Sequence, residues 1–210
     1  MSTEILTALC AEDASTRLRA ALAIGSDPDP ELIDTLVARC AMEPDFYVRD
    51  MLTWALTRFP SEVVVPRLLV ELEVAQARSQ ALHTLSKIRD ASAWPAITPS
   101  LLRDQDDEVA KSAWRAAVVL VPDAQKSDLA EHLASQLGRG DRQVQLSLSR
   151  ALLALGAEVI EPTLRNAMAS SDAAIRAHAE ATERLLRNPD AAFAPDINEA
   201  KRVFALSKER

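Results

Sequence analysis

The sequence predicts an all-α fold, a right-handed α-solenoid of about six helix pairs with a further helix at the C-terminus. Three observations predict it. Alanine and leucine are abundant while aromatics make up only 4% of 210 residues, which suits helix-on-helix packing. A short anchor pattern recurs at a regular spacing. The apolar residues after each anchor fall on one helical face.

The anchor is Asp-x-x-(Val/Ile/Thr), often followed by Arg. It occurs at Asp13-Ala-Ser-Thr16-Arg17, Asp45-Phe-Tyr-Val48-Arg49, Asp106-Asp-Glu-Val109, Asp141-Arg-Gln-Val144 and Asp172-Ala-Ala-Ile175-Arg176. A degenerate copy stands at Val74-Ala-Gln-Ala77-Arg78. Successive copies are 32, 29, 32, 35 and 31 residues apart. Each Asp is placed to accept from the free amides of a first helical turn.

The register continues along each copy. Four residues past the anchor come Ala20, Leu52, Ala81, Ala113, Leu148 and Ala179. Seven past it come Ala23, Ala55, Thr84, Ala116, Ala151 and Thr182, all small enough to let a neighbouring helix approach. Eleven past it, from the second copy on, come Phe59, Ile88, Leu120, Leu155 and Leu186. These offsets define one helix face.

The partner helix of each pair is read from runs such as ELIDTLVARCAM, VPRLLVELE, PAITPSLLRD and LAEHLASQL. Pro66, Pro95 and Pro162 each fall eighteen residues past an anchor, a repeated geometric device. Residues 1–10 supply the first helix. The repeat array is expected over 1–188, a linker over 189–194 and a capping helix over 195–210, with Ile197, Ala200 and Phe204 on one face.

These residues resemble HEAT repeats (armadillo/HEAT-like), in particular the short bacterial kind related to phycobilin-lyase-like repeats. The Asp-x-x-Val-Arg anchor, the small residue seven further on and the recurrent proline carry the resemblance over roughly residues 3–188. It implies that Asp and Arg tie successive repeats together and that the paired helices form an arc whose inner face binds partners. Ala110 and Gln145 depart from the pattern where Arg is usual, and the third copy is weak.

Composition argues against several classes. Net charge is −7, against a general nucleic-acid binder. No apolar run is long enough for a membrane helix, and MSTEILTALCAED lacks a basic signal region, so the expected location is cytoplasmic. Cys10 and Cys40 read as small buried hydrophobes. His83, His132 and His178 lack metal-ligand spacing and read as partly exposed helix residues, so no metal or other cofactor is expected. No nucleophile elbow or phosphate loop occurs; Gly138-Arg139-Gly140 reads as a helix C-cap and turn. Arg17, Arg49, Arg78 and Arg176 read as bonding neighbouring Asp side chains or carbonyls. Trp114 reads as packing between repeats, and Trp94 as a core or staple residue.

The register six past the anchor is the candidate binding stripe. It holds Leu22, Trp54, His83, Arg115, Arg150 and Ala181. Trp54, His83, Arg115 and Arg150, with Asp50, Lys87 and Lys111 beside them, would form a groove that is aromatic at one end and basic at the other. The resemblance places this helix on the concave face. The expected function is a non-enzymatic scaffold for a protein or peptide partner, with Trp54 as apolar anchor and Arg115 and Arg150 as charge contacts. A monomer or weak homodimer is expected. The alternative is a DNA-binding or DNA-repair protein resembling HEAT-like alkylpurine DNA glycosylases, which use tryptophans and a carboxylate on a basic concave face. A phycobilin lyase activity is implied by repeat-level similarity, with no residues found to carry it.

Overall fold

The computed structural model describes residues 2–188, with side chains from Glu4 onward. The expected linker over 189–194 and helix over 195–210 lie outside the described residues. Among the described residues there are twelve α-helices and no strand. No described helix is long and apolar enough to cross a membrane. The fold is all-α and of the α-solenoid class.

The residues group into two compact units, Met1–Gln136 and Leu137–Arg210. The first holds α1 (Ser2–Leu9), α2 (Ala14–Ser26), α3 (Ile33–Met42), α4 (Phe46–Leu56), α5 (Ser61–Glu71), α6 (Ala75–Ile88), α7 (Pro99–Leu102), α8 (Asp107–Leu120) and α9 (Lys126–Ala134). The second holds α10 (Arg142–Ala154), α11 (Ala157–Met168) and α12 (Ala173–Arg187).

The anchor aspartates are N-caps. Asp45 accepts from the amides of Tyr47 at 2.9 Å and Val48 at 3.1 Å. Asp13, Asp106, Asp141 and Asp172 do the same for α2, α8, α10 and α12. Each such cap stabilises its helix by about 1 kcal/mol. Val74 holds the same extended backbone before α6, φ −96° and ψ 112°, but offers no acceptor.

The anchor arginines fold back onto the turn that precedes their helix. Arg17 donates to the carbonyl of Ala11, Arg49 to that of Glu43, Arg78 to that of Leu72 and Arg176 to that of Ser170, always six residues earlier. Gln145 reaches the carbonyl of Gly140 at 3.3 Å, a longer bond to the fifth residue back. Two arginines also reach forward by 26 residues. Arg17 pairs with Glu43 and Arg78 with Asp104. These carboxylates in turn accept from the amides of the cap residues Asp45 and Asp106.

In the first unit α2 and α4 pack along their lengths, as do α6 and α8, whereas α4 and α6 touch at fewer points. Ala21, Ala55, Ala81, Ala113 and Ala117 are buried at these seams, so the backbones approach closely. Leu36, Leu52, Leu82, Leu129 and Leu133 fill the core. Each buried leucine contributes about 1.5–3 kcal/mol.

Several expectations are corrected. Ala23 is exposed, and Ile24 and Gly25 are buried in its place. Ile88 and Leu186 are half-buried. Pro66 and Pro162 sit inside α5 and α11, but Pro95 lies in a 3-10 helix, Ala91–Ala96. PAITPSLLRD therefore yields that 3-10 turn and the four-residue α7. Pro95 and Pro99 remove two amides, and Thr98 before Pro99 is extended at ψ 156°. Cys10 is exposed; Cys40 alone of the two is buried. Trp94 is half-exposed and donates to Gln125 Oε1 at 2.8 Å, so it is not a core residue. Trp114 is fully buried and its indole donates to the Leu102 carbonyl at 2.8 Å, binding α8 to α7. The C-cap of α9 is Ser135; Gly138 and Gly140 instead form a turn at φ +85° and +67°.

His178 is buried, not partly exposed. Its Nδ1 accepts from the Gly138 amide at 3.0 Å, so its proton is on Nε2 and faces the Gln145 carbonyl at 2.9 Å. Burial lowers its pKa, and the Gln145 carbonyl opposes the shift. The imidazole thus fastens the Gly138 turn and α10 to α12 within the second unit.

Candidate functional site

The α4, α6 and α8 helices of the first unit frame an open cleft of about 560 Å³. It opens where α4 and α6 meet sparsely. Phe46, Arg49 and Asp50 face it from α4, and Glu108, Ser112 and Arg115 from α8. Gln76, Ser79, Gln80 and His83 form the α6 wall.

Arg115 and His83 are hydrogen-bonded across α8 and α6, Nη1 to Nδ1, at 3.0 Å. A guanidinium always donates, so His83 Nδ1 accepts and the ring is neutral. Burial pushes the His83 pKa down to about 4, reinforced by Arg115, Lys87 and Arg49 against the opposing Asp50. Ser79 Oγ donates to the Glu108 carbonyl and lies 3.1 Å from Ser112 Oγ, joining α6 to α8. Gln80 Nε2 donates to Thr53 Oγ1 at 2.9 Å, joining α6 to α4. Thr53 also meets Thr84 and Cys40, so the floor is a small buried polar network.

Glu43 closes the cleft at the α3–α4 turn. Its side chain is fully buried. Arg17 binds it bidentately at 2.7 and 2.8 Å, Arg39 at 2.6 and 3.0 Å, and the Asp45 amide at 2.9 Å. Burial alone would raise its pKa; Arg17, the Asp45 amide and Arg39 together outweigh burial and hold it at about 2.

The lip is apolar. Met42 is 70% exposed and Phe46 65%. Tyr47, 72% exposed, stacks edge-on against Phe46 with ring centres 5.6 Å apart.

Three residues of the expected stripe, Asp50, His83 and Arg115, line this cleft. Trp54 does not. Its ring lies over Gly25 of α2, where an added Cβ would be 2.3 Å from Cζ3, and Arg58 sits 6.0 Å from the ring centre. Trp54 remains 38% exposed, so it serves the α2–α4 seam while showing one edge to solvent. Lys87 is exposed at the end of α6 and acts on the cleft through its field. Lys111 is paired with Glu108 at 2.6 Å. Arg150 is exposed on α10, in the second unit.

Sequence reading missed Met42, Glu43, Phe46 and Tyr47. A signal was present for the aromatics. The two residues between Asp and Val are small or polar in every other copy, such as Ala14-Ser15, Asp107-Glu108 and Arg142-Gln143. Phe46-Tyr47 breaks that rule. Glu43 was marked by its distance from Arg17, the same 26 residues that separate Asp104 from Arg78.

Chemically, the site offers hydrogen bonds, charge and apolar surface. Ser79 and Ser112 bond to each other and to backbone, and His83 to Arg115, so these side chains do not form a nucleophile–base pair. Among the described residues no group of three His, Cys, Asp or Glu gathers closely enough to hold a metal ion.

No family model matches the chain, and no curated protein matches it in sequence. Solved structures do match. The chain is similar to the complex of CpcE and CpcF of phycocyanin lyase from a Nostoc species, at 21% identity and a TM-score of 0.50, covering 87% of this chain and 75% of that one. It is also similar to an engineered protein, at 21% identity and a TM-score of 0.47, covering 90% of this chain and 96% of that one. With the all-helical architecture, the likeness to the phycocyanin lyase complex supports a HEAT-like helical repeat.

Proposed function

We propose that this chain is a binding scaffold for a protein or peptide, and that the cleft between α4, α6 and α8 is its binding face. One observation carries the reading: Met42 and Phe46 stand largely exposed on the lip of a polar, pre-formed cleft. Large exposed side chains beside a groove are the usual mark of a contact surface. The phycocyanin lyase neighbour is itself a complex of two proteins, which is compatible with this use of the fold. Of the expected stripe, Asp50, His83 and Arg115 belong to this face. The short bacterial, phycobilin-lyase-like kinship belongs to the same proposal, as do a cytoplasmic location and a monomeric or weakly dimeric state.

Site-specific photo-crosslinking tests it. A benzophenone amino acid at position 46 is expected to capture a defined partner from cells of the source organism. The same group at Val70, an exposed position on α5, is expected not to. Equal yields from both positions, or none from 46, refute the assignment of the face.

A further inference from the structure

The charges that face the cleft are not evenly used. Glu43 is taken up by Arg17 and Arg39, and Glu108 by Lys111. Arg49 spends one nitrogen on the carbonyls of Glu43 and Pro44, at 2.7 and 2.9 Å, which leave its charge in place. Arg115 bonds neutral His83 and so keeps its charge too. Against these two guanidiniums stands one carboxylate, Asp50, without a close ion pair among the described residues. The surroundings of His83 agree: Arg115, Lys87 and Arg49 disfavour its protonation, and Asp50 alone opposes them. The chain as a whole carries −7, so this face is positive against its own background.

Arg115 is exposed and its fork is turned by His83 on one nitrogen, leaving the other donors open. Phe46 and Met42 stand on the opposite lip. Resting on the cleft reading above, we infer that the partner presents a linear acidic peptide: a carboxylate that docks on Arg115, and a nearby aromatic or long aliphatic side chain that packs on Phe46 and Met42. The arginine supplies charge-assisted hydrogen bonds, and the apolar lip fixes the direction of the peptide.

The test pans a phage-displayed pool of random dodecapeptides on the full chain. Recovered sequences are synthesised with fluorescein and titrated by anisotropy. The expected winners carry Asp or Glu within a few residues of an aromatic or aliphatic side chain. Arg115→Ala should weaken them about tenfold or more, and so should Asp→Asn or Glu→Gln in the peptide, with no further loss when both changes are combined. The peptide-side change needs no protein variant, so a folding defect in Arg115→Ala cannot mask the result. Winners without an acid, indifferent to Arg115→Ala but lost in Phe46→Ser, overturn the carboxylate assignment and leave the cleft reading standing. Winners lost in Arg115→Ala but indifferent to Phe46→Ser overturn the apolar half of the proposal, and winners indifferent to both variants, or no winners, remove the cleft reading itself. Displacement of the peptide by a single-stranded DNA 20-mer at equal salt overturns the proposal in favour of a phosphate ligand.

Discussion

Glu43→Gln removes the charge on which Arg17, Arg39 and the Asp45 amide converge. Glutamine keeps one acceptor oxygen but turns an NH₂ toward donors, so part of the Arg17 fork loses its partner. Breaking a buried ion pair from one side costs about 3–5 kcal/mol. The lowered pKa of Glu43 leads to a similar figure. A carboxyl at 4.5 in the unfolded chain and about 2 when folded contributes about 3 kcal/mol at neutral pH. That stability is fully present above pH 4.5 and is lost as pH falls through 2. At pH 3 about 2 kcal/mol of it has gone. Urea denaturation followed by tryptophan fluorescence is the assay, since Trp54, Trp94 and Trp114 all lie in the first unit. The wild type should exceed Glu43→Gln by about 3 kcal/mol at pH 7, and the gap should narrow by about 2 kcal/mol at pH 3. A gap that stays constant with pH refutes the argument, because glutamine does not titrate and the other acids are common to both proteins.

Val74→Asp should stabilise the chain by about 1 kcal/mol, read as a raised urea midpoint, because the backbone there already has cap geometry and lacks an acceptor. Gly25→Ala should destabilise by about 1–2 kcal/mol despite alanine's better helix propensity. Its Cβ would meet Trp54 at 2.3 Å and the Ala55 Cα at 2.9 Å, so tryptophan emission should also shift to the red as Trp54 is pushed outward. His178→Ala should free the Gly138 amide, and its hydrogen exchange, measured by NMR, should accelerate well beyond that of the wild type.

What the sequence made legible was whatever repeats. Five aspartates cap five helices because each obeys a local rule, and local rules survive without knowledge of the neighbours. The arginines were assigned to the Asp side chains or carbonyls of a neighbouring repeat; the carbonyls they bond belong to the turn before their own helix, and Arg78 also reaches Asp104. The failures come where a partner distant in sequence decides. Cys10 has an apolar pattern around it but lies in the turn after α1, outside the packed face. His178 looked exposed by spacing, and the Gly138 turn forty residues away covers it. Trp54 looked like a free contact, yet Gly25 had been left small to receive it. Asp50, His83 and Arg115 share a cleft, so part of its lining was legible in the register; its apolar lip was not, because Phe46 and Tyr47 sit in slots that the repeat pattern treats as filler.

The forward ties from Arg17 to Glu43 and from Arg78 to Asp104 have a counterpart in what they skip. Twenty-six residues after Arg49 stands Ala75, which has no carboxylate to offer, beside the uncapped Val74. The first unit therefore has an arginine–carboxylate tie at two joints, and at the one between them, among the described residues, only the neutral hydrogen bonds of Gln80 and Thr84 to Thr53. This joint without an ion pair, between α4 and α6, runs beneath the cleft. For the binding face proposed above, a turn of α4 against α6 at this joint would alter the width of the opening, and an arginine–carboxylate tie there would oppose it.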